Sequence, residues 1–498
     1  MKIILTFVYA LFTLLIVLHH EIWADEAQVW MIAKNVSFLG LFKHLVNEGH
    51  PSFFYLVMMP FAKMGFSAFF MQIVCWASMC CAVFLLLQFS PFNGFAKFAV
   101  MTSAGFLYFF PVIARSYSII PLLVFALAVL YPKAKEKPFL YAILLVILAN
   151  THVIMFVFCA LLAVFFFLDN VLKNSENELQ QADRVKNKIS FAIMCAGLLA
   201  VILQLGGTTS SNAFIKFDFI NLIANAVKVF SEFFINGFDE QYADTSQIML
   251  SDIGTVLIFL SVILYIFLFV CLLKRSKKMF LLAFLGVGFQ IAVYIVGYNH
   301  WIFVTRIFCA HLIMLFCFWI VLRDKNSGME SKGFFNAKTL NAAVACFFLI
   351  TMLNGLKFAG LDLFNPYSGA KETAEFIEKN IDKNNSIIVT DNDPYTIALV
   401  YYLDGKYDIY SARTQKVLRY IIWDENLYRL LSGSKWAVYA EYMREYNDDF
   451  KGKKIYAVVS DFNLYKLNVK NINGYKLLFK SKPAVKKFEG FRVLEYSR

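Results

Sequence analysis

Two adjacent carboxylates near the N-terminus are the first candidates for chemistry. Asp25 and Glu26 follow an apolar run over residues 3–19 and lie close to Trp23 and Trp30. Because tryptophan is enriched where a membrane meets water, this spacing predicts carboxylates at the headgroup boundary, where a lipid phosphate lies. A carboxylate there can take a proton from an acceptor hydroxyl or bind a divalent cation next to a phosphate. The structural alternative is that Asp25 caps a helix beginning at Glu26.

Ionisable residues also lie at the ends of later apolar runs. Arg115, His152, His300 and Arg306 each adjoin such a run. Charged groups at membrane depth are costly, so they usually face a cavity or a partner. The forked donors of arginine suit a lipid phosphate or pyrophosphate. The structural alternatives are that each arginine extends to the headgroups or pairs with another span, and that each histidine caps a helix or forms hydrogen bonds without a catalytic task.

The composition places these residues in a membrane protein. Of 498 residues, 59% are hydrophobic and 16% are charged, and the mean hydropathy is +0.60. These values exclude a soluble cytosolic enzyme and a disordered chain. All nine cysteines fall in apolar runs and no Cys-x-x-Cys pair occurs, so neither a disulfide framework nor a cysteine-ligated zinc site is expected. The net charge of +12 comes from basic blocks between apolar runs, so nucleic acid is not an expected partner.

Long apolar runs predict the architecture of the first part of the chain. A run of about 17 to 25 apolar residues is long enough to cross a bilayer. The stretch 139–168 predicts two short spans that meet at a polar hairpin over residues 150–152. The expected fold is therefore an all-α polytopic membrane domain of about eleven transmembrane helices. The spans are 3–19, 68–89, 95–111, 116–131, the two halves of 139–168, 189–205, 253–273, 279–297, 302–322 and 339–358.

Basic residues predict the orientation, because Lys and Arg concentrate on the cytoplasmic side of spans. They are dense at 133–137, 173–188, 274–278 and 323–338 and sparse in the opposite loops. This pattern places the N-terminus in the cytoplasm, provided that 52–66 lies along the interface. The abundance of Lys, Asn, Ile and Phe fits an AT-rich bacterium. We therefore expect a multi-pass protein of a bacterial inner membrane, with a periplasmic or extracellular C-terminal domain.

The chain divides into two predicted domains. Residues 1–358 form the transmembrane domain, with outer loops at 20–67 and 206–252, and residues 359–498 form a small extracytoplasmic α/β domain. Short alternating runs of β-branched or aromatic residues and the helical patterns between them predict the elements of this second domain. The predicted strands are 386–391, 435–440, 454–460, 475–480 and 491–496, and the predicted helices are near 371–382 and 394–403.

The first outer loop resembles a known family. ADEAQVWMIAKN, a short amphipathic stretch and then GHPSFFYLVMMPFAKMG resemble the first-loop signature of the GT-C superfamily of membrane glycosyltransferases. The nearest branch is the protein mannosyltransferase and aminoarabinose transferase type. His50 and Tyr55 match the first and last positions of its His-Pro-Pro-Leu-Tyr-Tyr motif. The intervening residues depart from that motif at one proline and one aliphatic position.

Three later segments resemble the same family in the same order. PVIARSYS supplies Arg115 and Tyr117 at the place of a basic and an aromatic residue, and ANTHVIMFVF supplies His152 at a Thr-His turn. YNHWIFVTRIFCAHLIMLF supplies Arg306 at the place of a late Arg-Tyr-Leu segment. The resemblance covers roughly residues 1 to 325.

The resemblance implies a membrane glycosyltransferase that takes a sugar from a polyprenyl-phosphate carrier. Asp25 is then the general base or binds an activating metal (Mg, Mn or Zn), and Glu26 orients it or shares that metal. Arg115 and Arg306 stabilise the departing lipid phosphate, and one direct displacement inverts the anomeric carbon. The remaining matched residues, His50, Tyr55, Tyr117 and His152, contact substrate. The acceptor is lipid A of lipopolysaccharide, another cell-envelope glycan or a protein.

The sequence is also compatible with two other functions. A lipid-linked-sugar flippase or other transporter also needs many spans, but it predicts charges near the midplane and paired halves, which the sequence lacks. A non-catalytic membrane protein of an envelope complex is the second alternative. The loop 206–252 contains an amphipathic helix that could cover a pocket. Asp239, Glu240 and Asp244 in that loop, and Asp391 and Asp393 after a predicted strand, are expected to be ordinary loop and turn residues.

Overall fold

A computed structural model describes most of the chain. The described residues are 2–46, 48–172, 181–206, 229, 252–296, 304–324, 335–390, 392–423, 450–461 and 475–496. The long apolar runs form helices because a helix satisfies all of its own interior backbone hydrogen bonds. The helices of the first part are α1 (Lys2–His19), α2 (Ala24–Asn35), α3 (Phe38–Leu45), α4 (Phe53–Lys63), α5 (Phe69–Phe89), α6 (Gly94–Thr102), α7 (Gly105–Val112), α8 (Ile120–Leu130), α9 (Pro138–Ala149), α10 (Phe156–Phe166), α11 (Gln181–Leu205), α12 (Asp252–Arg275), α13 (Lys277–Val296), α14 (Val304–Arg323) and α15 (Ala337–Phe364).

The chain is a multi-pass membrane protein. In the described part of the chain, nine helices are long and apolar enough to cross a membrane, and α6 with α7 makes a tenth if the bent pair counts as one span. The predicted span in the first half of 139–168 is the 12-residue helix α9. At 1.5 Å per residue it is about 18 Å long, shorter than a hydrocarbon core of about 30 Å. The polar hairpin predicted at 150–152 is confirmed, and α4 is a separate short helix packed on α2.

One span forms the centre of the helical bundle. In α14, 83% of the residues that could cross a membrane are buried by other helices, whereas in α1 the figure is 22%. Exposed apolar side chains such as Ile3, Phe7 and Leu11 cover the outside of α1, as expected for a helix that faces lipid. The central position of α14 matters because Arg306 lies in its first turn.

A sharp bend separates α6 from α7. The two helices meet at 57°, and residues 105–109 are π-helical. The hydroxyl of Thr351 on α15 accepts a hydrogen bond from the Ala104 amide at 3.2 Å, and Tyr9 on α1 donates to the Phe106 carbonyl at 2.6 Å. These bonds satisfy backbone groups at the break. The bend directs the chain toward Arg115, three residues beyond the end of α7.

The C-terminal domain (residues 365–496) is a mixed α/β unit. Its described helices are α16 (Ala370–Asn380) and α17 (Asp393–Tyr402), and its described strands are β1 (Ser386–Thr390), β2 (Ile409–Ser411), β3 (Lys416–Val417), β4 (Lys454–Ser460), β5 (Tyr475–Lys480) and β6 (Phe491–Tyr496). The strand order is β3-β2-β1-β4-β6-β5, with β1 parallel to β2 and β4 and the other pairs antiparallel. Four predicted strands and both predicted helices are confirmed. The strand predicted at 435–440 and the helix predicted in 206–252 lie outside the described residues.

The C-terminal domain packs against the end of the bundle that carries α2. Gln28 on α2 makes two hydrogen bonds with the backbone of Ile421, donating at 3.0 Å and accepting at 2.8 Å. The Tyr402 hydroxyl accepts from the Ile22 amide at 2.9 Å, and Lys34 forms an ion pair with Asp404. We call this end of the bundle, where α2 contacts the C-terminal domain, the domain-side end.

Candidate active site

Asp25 lies in the first turn of α2, close to an arginine from another part of the bundle. The helix begins at Ala24, and its N-cap residue Trp23 provides no side-chain cap. The expectation that Asp25 caps a helix beginning at Glu26 is therefore wrong. Instead, Asp25 Oδ2 accepts from Arg115 Nη1 at 2.9 Å. The Asp25 side chain is 32% exposed and that of Arg115 is 7% exposed, so the carboxylate is the more accessible partner.

Glu26 points away from Asp25 into the protein. Its side chain is fully buried, and Oε1 accepts from the Ala114 amide at 2.6 Å and lies 3.4 Å from His20 Nε2. The other imidazole nitrogen, Nδ1, lies 2.7 Å from Asp362 Oδ2 at the end of α15. Burial by itself disfavours a charged imidazole, but the two carboxylates outweigh it and raise the pKa of His20 to about 10. Glu26, His20 and Asp362 therefore form a buried cluster with a protonated centre.

The two acidic residues bind two consecutive residues of the segment after α7. Asp25 pairs with the Arg115 side chain, while Glu26 accepts from the Ala114 backbone. Neighbouring residues on a helix project about 100° apart, so one carboxylate reaches the exposed site and the other reaches the interior. This double contact fixes the position of Arg115 relative to α2.

Two histidines lie beside Arg115. His50 Nε2 is 3.4 Å from Arg115 Nη2, and the rings of His50 and His152 have centroids 5.0 Å apart. Burial lowers the pKa of both imidazoles, and the positive charges of Arg115 and Arg306 lower it further. Both rings are therefore neutral at pH 7. They supply hydrogen bonds to the site without adding charge.

The hydrogen bonds indicate which nitrogen of each ring carries the proton. His152 Nδ1 accepts from the Ile154 amide at 3.3 Å, so Nε2 is protonated in the neutral ring. His50 Nε2 faces a guanidinium, which can only donate, so its proton lies on Nδ1. Neither protonated nitrogen has a hydrogen-bond partner among the described residues. Each is a buried donor whose hydrogen-bonding capacity is unused among the described residues.

The other predicted residues complete the cluster. Arg306, at the start of the central span, lies within electrostatic range of both histidines, and its backbone carbonyl accepts from the Tyr294 hydroxyl at 2.6 Å. The Tyr117 ring is 6.1 Å from that of His152. Tyr55 is buried in the first turn of α4, in electrostatic range of Asp25 and Arg115.

Backbone hydrogen bonds at the domain-side end position the loop that carries His50. Gln204 on α11 accepts from the Ser52 amide at 2.9 Å and donates to the Asn150 side chain at 3.2 Å. The Asn150 carbonyl accepts from the Phe53 amide at 3.3 Å. The start of α4 is therefore bound to the end of α9 both directly and through α11, which explains why His50 and His152 are adjacent although they are far apart in sequence.

The structure thus brings seven of the eight predicted site residues together. They are Asp25, His50, Tyr55, Arg115, Tyr117, His152 and Arg306. Glu26 is not part of this cluster, because its carboxylate is directed at the Ala114 amide and at His20. His300, Asp239, Glu240, Asp244 and Asp391 lie outside the described residues. Asp393 is a buried residue at the start of α17 that accepts from Ser411 at 2.8 Å, far along the chain from this cluster.

The acidic pair does not fit a shared metal ion. Asp25 is paired with a guanidinium, and Glu26 faces the opposite way, toward an imidazolium and a backbone amide. Within the described parts of the chain, no three His, Cys, Asp or Glu side chains converge on a possible metal position. Adjacent carboxylates on a helix diverge, so they cannot ligate one cation unless the side chains rearrange.

Several residues near the site were not predicted from the sequence. Glu48 accepts from Gln28 at 2.8 Å and lies 3.1 Å from His44 Nε2, next to the contact with the C-terminal domain. Glu489 of the C-terminal domain accepts from the Ala24 amide at 2.9 Å. Glu48 precedes His50 by two residues, and this closeness in sequence to a predicted site residue could have identified Glu48. Glu489 lies in a lysine-rich segment near the C-terminus, and no nearby sequence pattern marks it as a residue close to the site.

Comparisons with known proteins show the fold. No protein-family model matches the chain, and no curated protein matches it in sequence. The crystal structure of ArnT from Cupriavidus metallidurans in the apo state aligns with a TM-score of 0.52 at 8% identity, over 99% of this chain and 97% of that chain. The same protein bound to undecaprenyl phosphate aligns with a TM-score of 0.46 at 9% identity over the same shares. The arabinofuranosyltransferase AftD from Mycobacteria aligns with a TM-score of 0.34 at 10% identity, over 95% of this chain and 39% of that chain.

The apo ArnT structure is the comparison on which we base the fold assignment. It matches both parts of this chain, the bundle of spans and the C-terminal domain, across nearly its whole length. The fold expected from the sequence, a polytopic helical domain followed by a small α/β domain, is therefore confirmed. This chain shares the fold of that ArnT structure.

Proposed function

We propose that this chain is an integral membrane glycosyltransferase that moves a sugar from a polyprenyl-phosphate carrier to an acceptor. The observation that carries the proposal is the Asp25–Arg115 pair, at 2.9 Å, beside Arg306 and two neutral histidines. This arrangement combines a partly exposed carboxylate with buried guanidinium groups. A proton acceptor and an anion-binding group are the two functions that this reaction needs.

Two guanidinium groups of the cluster suit an anionic ligand. Arg115 and Arg306 are both largely buried, and the planar, forked donors of arginine match the oxygens of a phosphate. The lipid phosphate of a carrier supplies that anion, and its apolar tail can remain among the exposed apolar side chains of the spans.

The proposed reaction is one direct displacement at the anomeric carbon. The acceptor oxygen forms a bond to that carbon while the bond between the carbon and the phosphate oxygen breaks. Asp25 takes the proton that leaves the acceptor hydroxyl. Arg115 and Arg306 stabilise the negative charge that grows on the departing lipid phosphate, and His152 Nε2 can donate to the same phosphate. The configuration at the anomeric carbon is inverted.

The C-terminal domain, which contacts the start of α2, indicates where the acceptor enters. The C-terminal domain contacts α2 within one turn of Asp25, so the acceptor approaches between this domain and the bundle. We place this end of the bundle outside the cytoplasm, in agreement with the distribution of basic residues. The N-terminus is then cytoplasmic, the membrane is the inner membrane, and the acceptor is lipid A, another envelope glycan or a protein.

Replacing Arg115 by lysine tests the anion-binding part of the proposal. Arg115 contacts Asp25 and His50 at once through two guanidinium nitrogens, a geometry that a single ammonium cannot reproduce. We expect Arg115→Lys to weaken the binding of undecaprenyl phosphate to the full chain in nanodiscs by about tenfold, which is about 1.4 kcal/mol. The matched control is Arg323→Lys, at the end of α14 opposite Arg306. Equal affinities in both variants would contradict a lipid-phosphate site at Arg115.

A further inference from the structure

The helix that carries Asp25 receives its N-terminal cap from the C-terminal domain. The first amides of a helix have no partner within the helix, and a side chain just before the helix usually accepts from one of them. In α2 the N-cap residue Trp23 makes no such bond. Glu489 Oε1, from a segment 465 residues away in sequence, accepts from the Ala24 amide at 2.9 Å. The residue next to this amide is Asp25.

Glu489 is itself held firmly. Its side chain is fully buried, and its backbone carbonyl accepts from the Gly369 amide at 2.8 Å. Lys486, in the same loop, places its ammonium 4.4 Å from the centre of the Trp23 ring. The loop before β6 therefore contacts two consecutive residues at the start of α2. Such a contact fixes both the position of the first turn of α2 along the helix axis and its rotation about that axis.

Other bonds from the C-terminal domain reach the same segment. The Tyr402 hydroxyl accepts from the Ile22 amide, and the Ile421 backbone makes two bonds with Gln28. Tyr395 lies in electrostatic range of both Glu489 and Asp25. The first turn of α2 is thus bound from the C-terminal domain on one side and through Arg115 on the other.

We propose that Glu489 is a positioning residue for Asp25, through which the C-terminal domain sets the orientation of the reacting carboxylate. The inference rests on the proposed function, in which Asp25 is that carboxylate. Without the cap, the first turn of α2 frays and the Asp25 carboxylate loses its fixed position relative to Arg115. The C-terminal domain then contributes to the geometry of the site, in addition to packing over it.

Amide hydrogen exchange of the full chain in nanodiscs tests the proposal without any substrate. In Glu489→Ala, we expect the amides at the start of α2 to exchange about tenfold faster than in the wild type, because the helix loses its cap. In Glu489→Gln, the amide oxygen of glutamine can still accept from Ala24, so exchange stays close to that of the wild type. Tyr402→Phe, which removes a second acceptor from the same segment, accelerates exchange to a smaller extent.

The control is Glu378→Ala, which removes an exposed ion pair with Lys406 in the same domain and leaves exchange in α2 unchanged. Unchanged exchange in Glu489→Ala would overturn the proposal. Equal acceleration in Glu489→Ala and Glu489→Gln would also overturn it, because the acceptor oxygen would then be irrelevant.

A second measurement connects the cap to the reaction. Cells that carry Glu489→Ala should accumulate the polyprenyl-linked sugar donor, as cells with Asp25→Asn should, whereas cells with Glu489→Gln should not. Accumulation in Asp25→Asn but not in Glu489→Ala, with faster exchange in the latter, would show that the cap does not serve the reacting group. If Asp25→Asn itself causes no accumulation, the proposed function fails, and the exchange measurement still decides whether Glu489 positions the first turn of α2.

Discussion

At the residue scale, consecutive residues have different tasks. Asp25 is partly exposed beside the Arg115 guanidinium, while Glu26 is fully buried against an imidazolium. The sequence placed both carboxylates in one site because they are adjacent and follow a span. It could not show that the helix begins at Ala24, and the start of the helix decides which carboxylate faces the site. Arg115, His152 and Arg306 could be selected because ionisable groups at membrane depth are costly and usually face a cavity or a partner.

Removing the His20 imidazolium should destabilise the protein. His20→Gln leaves the buried carboxylates of Glu26 and Asp362 without a compensating charge, at a cost of roughly 3 kcal/mol. Because the pKa of His20 is raised to about 10, its stabilising charge is fully present below pH 6.5 and is lost only as the pH rises through about 10. We therefore expect a lower melting temperature at pH 7 in detergent.

Two further variants separate charge from packing at this position. His19→Gln is the matched control, because the adjacent His19 is exposed and its ring forms a hydrogen bond with the Leu15 carbonyl. Asp362→Asn added to His20→Gln should restore part of the lost stability by removing one of the two buried charges. Equal melting temperatures for His20→Gln and His19→Gln would show that the buried cluster contributes no net stability.

At the element scale, the approach of α15 to the bend between α6 and α7 depends on a glycine. A Cβ on Gly355 would lie 2.8 Å from the Cα of Ala104, a backbone atom that cannot move aside. Gly355→Ala should therefore destabilise the bundle by about 1–3 kcal/mol through overpacking. Melting of the purified protein measures this change.

Gly360→Ala on the same helix provides the control for helix propensity. A Cβ there would meet no atom within 4 Å, and alanine is the better helix former by about 1 kcal/mol. This variant should be as stable as the wild type or more so. If both glycine variants behave alike, close packing of α15 at Ala104 does not limit stability.

The elements themselves were largely predictable. Apolar length predicted nearly all of the described spans, and alternation predicted β1, β4, β5 and β6. The short strands β2 and β3 have three and two residues, too few for a periodic pattern. The break between α6 and α7 was also missed, because hydropathy is continuous through residues 94–112 and only the hydrogen bonds from α1 and α15 show why the helix bends there.

At the scale of the whole molecule, the interface between the two domains should respond to pH. Burial raises the pKa of Glu489 from 4.5 to about 7, the negative charge of Asp25 acts in the same direction, and the Ser368 hydroxyl, the Ala24 amide and the Lys486 ammonium oppose it. The folded protein therefore retains this proton between pH 4.5 and pH 7, whereas the unfolded chain releases it. Stability should fall across that window as the pH rises, by at most about 3 kcal/mol.

Glu489→Gln should abolish this pH response because glutamine does not titrate. The melting temperature of the variant, compared with that of the wild type, should be relatively higher at pH 8 than at pH 5. Melting curves at both pH values for the two proteins give the comparison. A difference that stays constant with pH would contradict a raised pKa at Glu489.

The interface between the domains was the least predictable part of the molecule. Its bonds join residues far apart in sequence, such as Ala24 with Glu489 and Gln28 with Ile421, and two of these four groups belong to the backbone. A hydrogen bond made by a backbone group does not depend on the type of side chain, so residue types do not reveal it. The sequence predicted that a second domain exists and could not predict that it binds the helix that carries the reacting group.

The lipid carrier in living cells gives the most direct test of the central claim, that Asp25 and Arg115 act together on a lipid-linked sugar. Lipids are extracted from cells whose only copy carries Asp25→Asn, and mass spectrometry quantifies the polyprenyl-phosphate sugar. The control is Asp408→Asn, an exposed aspartate paired with Arg419 in the C-terminal domain. With both variants present at wild-type levels, we predict that the donor accumulates only in Asp25→Asn. Equal donor levels in the two strains would contradict the account.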